Sequence, residues 1–381
     1  MLDNRPIFNE DHQMFREAVR GFIKAEVTPN FARWEEQGIV DRRFWTAAGQ
    51  AGLLCPHVPE QYGGPGGDFR FNAVVVEELG HAGYTGPMTN ISVHSDVCAG
   101  YILNAGTEEQ KQKWLPKLVS GEAVCAVAMT EPGTGSDLQG IKTRAVRHGD
   151  RLRINGSKTF ISNGQHADLV IVVARTSDAP GAKGLSLILV ETTRAGFRRG
   201  RKLEKLGQWS ADTLELYFDD VEVPVSHIMG AEGAGFATLM TELPQERLVI
   251  AIQSMASSQR AFELTRDYVR ERKAFGQAIA DFQNTRYKLA DLKADLLVGW
   301  SFVDQSLAKH VRGELSALEA STAKLWCSEM HGRLVDACVQ LHGGYGYIRE
   351  YEICRLYADA RVQRIYGGTS EIMRELISRQ L

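Results

Sequence analysis

The sequence predicts an α+β multi-domain protein in which an N-terminal α-helical domain, a middle β domain and a C-terminal α-helical bundle follow one another. Apolar residues recur at three- and four-residue spacing from Glu10 to about Gly121, strand-like segments and turns fill the middle, and long amphipathic segments return after "GAEGAGF". The expected domains are 1–124, 125–236 and 237–381. A strand block inserted between helical blocks is not the alternation of a doubly wound sheet.

In the first block, "DHQMFREAVRGFIKAEV" and "FNAVVVEELGHAG" read as helices, with "PEQYGGPGGD" as a loop between them. In the second, "RLRINGSKTFISNG" places Asn155-Gly156 between alternating residues, which predicts a hairpin turn there. "GLSLILVE" and "TLELYFDDVEVP" read as further strands, and the basic run "RAGFRRGRK" as a solvated loop. In the third, a long helix is expected to open around Pro244 and to continue through "ERLVIAIQSMASSQRAFELTRDYVRERKAFG", stopping at Gly276. A second follows in "TRYKLADLKADLLVGWSFVDQSLAKH", and helices of this length pack as a bundle. Gly367 and Gly368 stand just before Thr369 and Ser370, where the last helix opens.

A chain of 381 residues, 44% hydrophobic and 24% charged, can bury large cores. A formal net charge of −3 gives no electrostatic footprint for nucleic acid or an anionic membrane, so a small metabolite is the expected partner. Six scattered cysteines lack the spacing of a metal site and read as reduced, mostly buried thiols. The segment "MLDNRPIFNEDHQMF" has neither a signal-peptide nor a transit-peptide pattern, so a cytoplasmic protein is expected, with a mature organellar one as the exception.

Several motifs carry chemistry. "AVAMTEPGTGSDLQG" combines Thr130 with a glycine turn and Ser136, whose exposed N–H groups and hydroxyls suit a polar ring or a pyrophosphate; a connector capped by Ser136 is the alternative. No GxGxxG follows a strand, which disfavours a Rossmann nucleotide domain. Phe160 and Ser162, two apart in "SKTFISNG", are expected on one strand face, where an aromatic ring and a hydroxyl could pack on a flat cofactor. "RERKAFGQ" and "CVQLHGGYGYIREY" bring cations, glycines and His342, which reads as structural.

The segments "MTEPGTGSD", "FISNG", "RKAFGQ", "QLHGGYGY" and "YGGTSEIMREL", in this order, resemble the acyl-CoA dehydrogenase family, and the similarity runs from the N-terminal helices to Leu381. The resemblance implies FAD as cofactor. Met129, Thr130 and Ser136 match positions on one side of the flavin ring, with Ser136 also near the CoA moiety, and Phe160, Ile161 and Ser162 match positions on the other. Arg272, Phe275, Gln283, Gln340, Gly343 and Gly344 match contacts to the dinucleotide of a neighbouring subunit, and Thr369, Ser370 and Glu371 match contacts at the start of the last helix.

Many members of that family carry their catalytic glutamate where this chain has Gly367. The long-chain and isovaleryl branches instead place it at the position of Glu246, in "ELPQERL", so the resemblance implies Glu246 as the base that removes the α-proton. Pro244, Gln245, Arg247, Gly367 and Gly368 are then expected around the substrate, with the Gly367 N–H donating to the thioester carbonyl and Arg247 in a supporting role. The implied reaction is α,β-dehydrogenation of a medium-to-long-chain or branched acyl-CoA to the trans-2-enoyl-CoA, with electron-transfer flavoprotein as acceptor and a homotetramer as the assembly. The motifs are nearer the long-chain branch, and small residues at Gly86-Pro87 are expected to leave depth for the acyl tail. A flavin-dependent oxidase or monooxygenase, and a non-catalytic acyl-CoA-binding scaffold, are the rival readings.

Overall fold

The computed structural model describes residues 5–381. Among the described residues, seven α-helices make up the N-terminal part: α1 (Glu10–Phe22), α2 (Phe31–Gln37), α3 (Arg42–Gln50), α4 (Phe69–His81), α5 (Thr85–Ile91), α6 (Ala99–Ala105) and α7 (Glu108–Val119). Helix α1 opens on a capping box at Asn9 and His12, and α7 on one at Thr107 and Gln110, so both starts satisfy backbone N–H groups that a helix leaves free. Between α5 and α6 the chain stays helical through a wide π-type turn, Ser92–Cys98.

The middle part of the chain, among the described residues, forms a sheet of eight strands: β1 (Cys125–Ala128), β2 (Arg144–His148), β3 (Arg151–Ser162), β4 (Leu169–Arg175), β5 (Leu185–Glu191), β6 (Phe197–Lys202), β7 (Thr213–Pro224) and β8 (Ile228–Met229). Their order is β6-β7-β3-β2-β4-β5-β8, with β1 parallel beside β4. Leu169, Ile171 and Val173 of β4 face the core shared with the helices, whereas Val170, Val172 and Ala174 face a second core inside the sheet. This two-residue alternation, apolar on both sides, is why the strand reads as one continuous hydrophobic run.

Two expectations fail here. Asn155-Gly156 is no hairpin turn: β3 runs through it, with a register shift between Ile154 and Gly156 against β7. A Cβ on Gly156 would lie 2.5 Å from Thr143 Oγ1, and Asn155 bonds Asp220 with both ends of its amide, so the pair builds a bulge with a close crossing. The reversal between β2 and β3 falls instead at Gly149-Asp150. The basic run is likewise not a loop, since Phe197–Lys202 is strand β6 at the sheet edge. Positive charge on an edge strand blunts pairing with other chains.

The C-terminal part, packed on the N-terminal helices through α4 and α6, holds α8 (Gly235–Glu271), the two-residue strands β9 (Lys273–Ala274) and β10 (Gln277–Ala278), α9 (Gln283–Val311), α10 (Ala317–His342), α11 (Glu352–Ala360) and α12 (Ser370–Ser378). Helix α8 does not open at Pro244; it begins nine residues earlier, on β5, where a Cβ at Gly235 would meet Leu185 O at 2.8 Å. Proline is favoured in a first turn but is also tolerated inside a packed helix, where it only fails to donate to the carbonyl four residues back. The C-terminus of α8 also differs: the helix stops at Glu271, and residues 273–278 turn back as a hairpin with Phe275 and Gly276 at its tip. Both tip residues have positive φ, 53° and 85°.

Candidate active site

Glu246 lies in the interior of α8, so the helix dipole gives it nothing and its state is set by its neighbours. Tyr101, on α6, donates its hydroxyl to Glu246 Oε1 at 2.6 Å. Burial pushes the Glu246 carboxyl up to about 7, against the Tyr101 hydrogen bond and the charge of Arg247, which favour the carboxylate. A carboxylate that takes up a proton near neutral pH is suited to accept one in catalysis. One turn earlier, Glu242 is buried and accepts from Asn104 Nδ2 at 3.0 Å on both oxygens. Gln245 donates to Asp96 O at 2.5 Å and meets His310 Nε2 at 3.1 Å. Arg247 is buried and donates to Ser321 Oγ on α10 at 3.3 Å.

The glycine pair closes over the same face of α8. Gly367 has φ +63°, and a Cβ there would lie 2.3 Å from Ile250 Cδ1; Ile250 follows Glu246 by one helical turn, so the two side chains share a face. The turn is anchored at three places. Tyr366 donates to Gln253 at 3.1 Å, Ser254 donates to Gln363 at 2.8 Å, and the buried Lys324 of α10 donates to Gly368 O at 2.6 Å. Among the described residues the Gly367 N–H has no acceptor. The turn that carries this free donor thus packs on the helix face that carries Glu246. Thr369 caps α12 by accepting from Ile372 N at 3.3 Å, with Ser370 buried and Glu371 exposed in the first turn.

A second group assembles in the sheet domain. Thr159 N donates to Thr130 O at 2.9 Å, which places Met129 and Thr130 beside Phe160, Ile161 and Ser162. Lys158, fully buried, bonds Met129 O and Glu131 Oε1, each at 2.9 Å, and Glu131 accepts the N–H groups of Lys142 and Thr143, fixing the turn that carries the exposed Ser136. Phe160 and Ser162 do not share a face by simple alternation, because the β3–β7 register slips between Lys158 and Ile161. Phe160 takes the left-handed φ of 59° and is 66% exposed, while Ile161 is buried and Ser162 half-buried.

The third group lies at the far end of the helical bundle. Arg272 closes α8 with its guanidinium 5.6 Å from the Tyr345 ring, Phe275 is 96% exposed, and Gln283 donates to Tyr287 at 2.6 Å. Gln340, Gly343 and Gly344 lie at the exposed end of α10. No hydrogen bond, ion pair or ring contact among the described residues joins this group to Met129–Ser162.

The chain matches the acyl-CoA dehydrogenase N-terminal domain over residues 9–122, the middle domain over 126–221 and the C-terminal domain over 233–381. It is 49% identical to the long-chain specific acyl-CoA dehydrogenase, mitochondrial, of Rattus norvegicus over 380 residues, 99% of this chain and 88% of the relative. It belongs to the acyl-CoA dehydrogenase family. The crystal structure of an acyl-CoA dehydrogenase from Geobacillus kaustophilus superimposes with a TM-score of 0.96 at 47% identity, covering 98% of each chain. One from Bacillus anthracis, complexed with FAD, does so with a TM-score of 0.91 at 33% identity, over 98% of this chain and 67% of that one.

In this acyl-CoA dehydrogenase the glycines Gly133, Gly135 and Gly344 have neither positive φ nor any atom within 4 Å of a would-be Cβ. The fold does not require glycine there, and the open backbone is what close approach by a ligand needs. Gly86 is the opposite case: a Cβ would meet Ser210 Oγ at 2.2 Å, so its smallness serves the packing of α5 on residues 210–211 and does not show depth for an acyl tail. Tyr101, Asn104, Glu242, Lys158 and Lys324 escape the sequence reading. Only Glu242 left a signal, a carboxylate four residues before Glu246, and it becomes visible once α8 is extended back to Gly235.

Proposed function

We propose that this protein is an FAD-dependent enzyme that oxidises a medium-to-long-chain or branched saturated acyl-CoA to the trans-2-enoyl-CoA, with Glu246 as the base. The observation that carries this reading is the placement of Glu246 on the α8 face over which the Gly367–Gly368 turn closes, with the Gly367 N–H unpaired. A thioester lying between them would have its carbonyl oxygen at a fixed donor and its α-carbon towards a carboxylate. The donor stabilises the developing enolate while Glu246 takes the α-proton on a carboxylate oxygen; Tyr101 keeps that carboxylate oriented.

The chemistry supplied by FAD, when bound, is acceptance of the hydride from the β-carbon. Met129, Thr130, Ser136, Phe160, Ile161 and Ser162 would hold its ring, which fits an exposed aromatic and an open glycine turn that the fold leaves uncovered. Arg272, Phe275, Gln283, Gln340, Gly343 and Gly344 would meet the dinucleotide of a neighbouring subunit, in keeping with their separation from the ring group, and Thr369, Ser370 and Glu371 would meet it at the start of α12. A homotetramer and electron-transfer flavoprotein as acceptor complete the reading, supported by family membership. No helix among the described residues is long and apolar enough to cross a membrane.

Anaerobic mixing of the purified flavoprotein with saturated acyl-CoAs of graded length and branching tests this. Rapid bleaching of the flavin absorbance with one class is the expected result and names the substrate. No bleaching with any of them, despite bound FAD, contradicts it.

A further inference from the structure

Glu242 and Glu246 sit one turn apart on the same face of α8, which places their carboxylates side by side. Both face α6, and α6 answers each with a neutral donor: Tyr101 O–H to Glu246 at 2.6 Å and Asn104 Nδ2 to both oxygens of Glu242 at 3.0 Å. Neither makes an ion pair within 4.0 Å among the described residues. Gly100 leaves the space between the helices, since a Cβ there would lie 3.7 Å from Glu242 Oε2 and 3.2 Å from Gln245 Nε2. Two acids this close, held by neutral donors in a buried place, cannot both ionise freely.

We infer that Glu242, held by Asn104, is a positioning residue whose negative charge beside Glu246 adds to the proton affinity of the base and so shifts the pH range in which the enzyme turns over. The inference rests on the reading of Glu246 as the base. Burial pushes the Glu242 carboxyl up, and the Asn104 hydrogen bonds on both oxygens work against that and hold its charge in a fixed place. That charge opposes ionisation of Glu246. The other groups facing the pair are accounted for: Tyr101 and Cys98 come from the helical rod that ends in α6 and stay neutral, Arg247 favours the carboxylate, Lys324 of α10 stands behind Arg247, and Asp96 and His310 reach the pair only through Gln245. Glu242 is thus the one acid opposing the base.

The test compares the holoenzyme with Glu242→Gln, which keeps the shape and can keep one of the two Asn104 hydrogen bonds, and with Asn104→Ala as a second variant. In kcat/KM against pH, the acid limb is expected to move down by about one unit in Glu242→Gln, and in the same direction in Asn104→Ala. In parallel, the carboxyl infrared band that disappears in Glu246→Gln is titrated in each protein. It reads Glu246 whether or not any acyl-CoA is oxidised. A limb and a band that stay where they are in Glu242→Gln overturn the inference. A band that moves in a protein oxidising no acyl-CoA upholds the coupling and sinks the proposed reaction instead.

Discussion

Tyr101 places its hydroxyl 2.6 Å from Glu246 Oε1, so the carboxylate proposed as the base is oriented by a helix that is distant in the chain and neutral in charge. The hydrogen bond favours the carboxylate, against the burial that raises it to about 7. A base must be deprotonated to act, so kcat/KM is expected to rise with pH through about 7 and to level above it. In Tyr101→Phe the limb is expected to move up by about 1–2 units, the worth of a hydrogen bond to a charged group. A pH profile of both proteins checks this.

The same raised carboxyl has a consequence for stability. A group whose proton is held more tightly in the folded than in the unfolded chain stabilises below the unfolded value, and that contribution is lost as pH rises through the folded one. For Glu246 the loss falls between the ordinary glutamate range and about pH 7. Glu246→Gln is therefore expected to melt at a higher temperature than the parent at pH 8 and to show no such gain at pH 4. Thermal melts at the two pH values decide it.

Gly367 is constrained twice, by φ +63° and by Ile250 Cδ1 at 2.3 Å from a would-be Cβ. Gly367→Ala is expected to lose about 1–2 kcal/mol to the left-handed backbone and about 1–3 kcal/mol to overpacking. Pairing it with Ile250→Val should recover part of the second contribution and none of the first. Denaturant titration of the single and double variants measures both.

Lys158 and Glu131 form a buried ion pair that ties β3 to the turn after β1. Burial lowers the Lys158 ammonium to about 8, and the pair with Glu131 works against that. Removing one partner strands the other, so Lys158→Met is expected to cost about 3–5 kcal/mol. The same ammonium holds Met129 O, so, if Met129 lines the flavin as proposed, weaker flavin retention on gel filtration accompanies it.

Much of this was legible in the sequence, and the misses have physical causes. The helical, β, helical order along the chain followed from a change of hydrophobic period that tertiary packing does not disturb. Turn chemistry was less faithful: Asn155-Gly156 has hairpin residues but serves a bulge, because β7 continues to pair past it. Pro244 has the chemistry of a helix start, yet packing of Gly235 on β5 extends α8 backwards through it. Glu246 was reached only through family likeness, and its partners Tyr101, Asn104 and Glu242 could not be, because contacts between α6 and α8 join residues about 140 apart with no local pattern.

The most direct test is a single-turnover comparison of the parent with Glu246→Gln, both loaded with FAD and mixed anaerobically with the acyl-CoA that bleaches the parent fastest. Loss of the general base is expected to slow bleaching by about 10²–10⁴-fold, with flavin content and substrate binding unchanged. Bleaching at the parent rate would show that another group removes the α-proton.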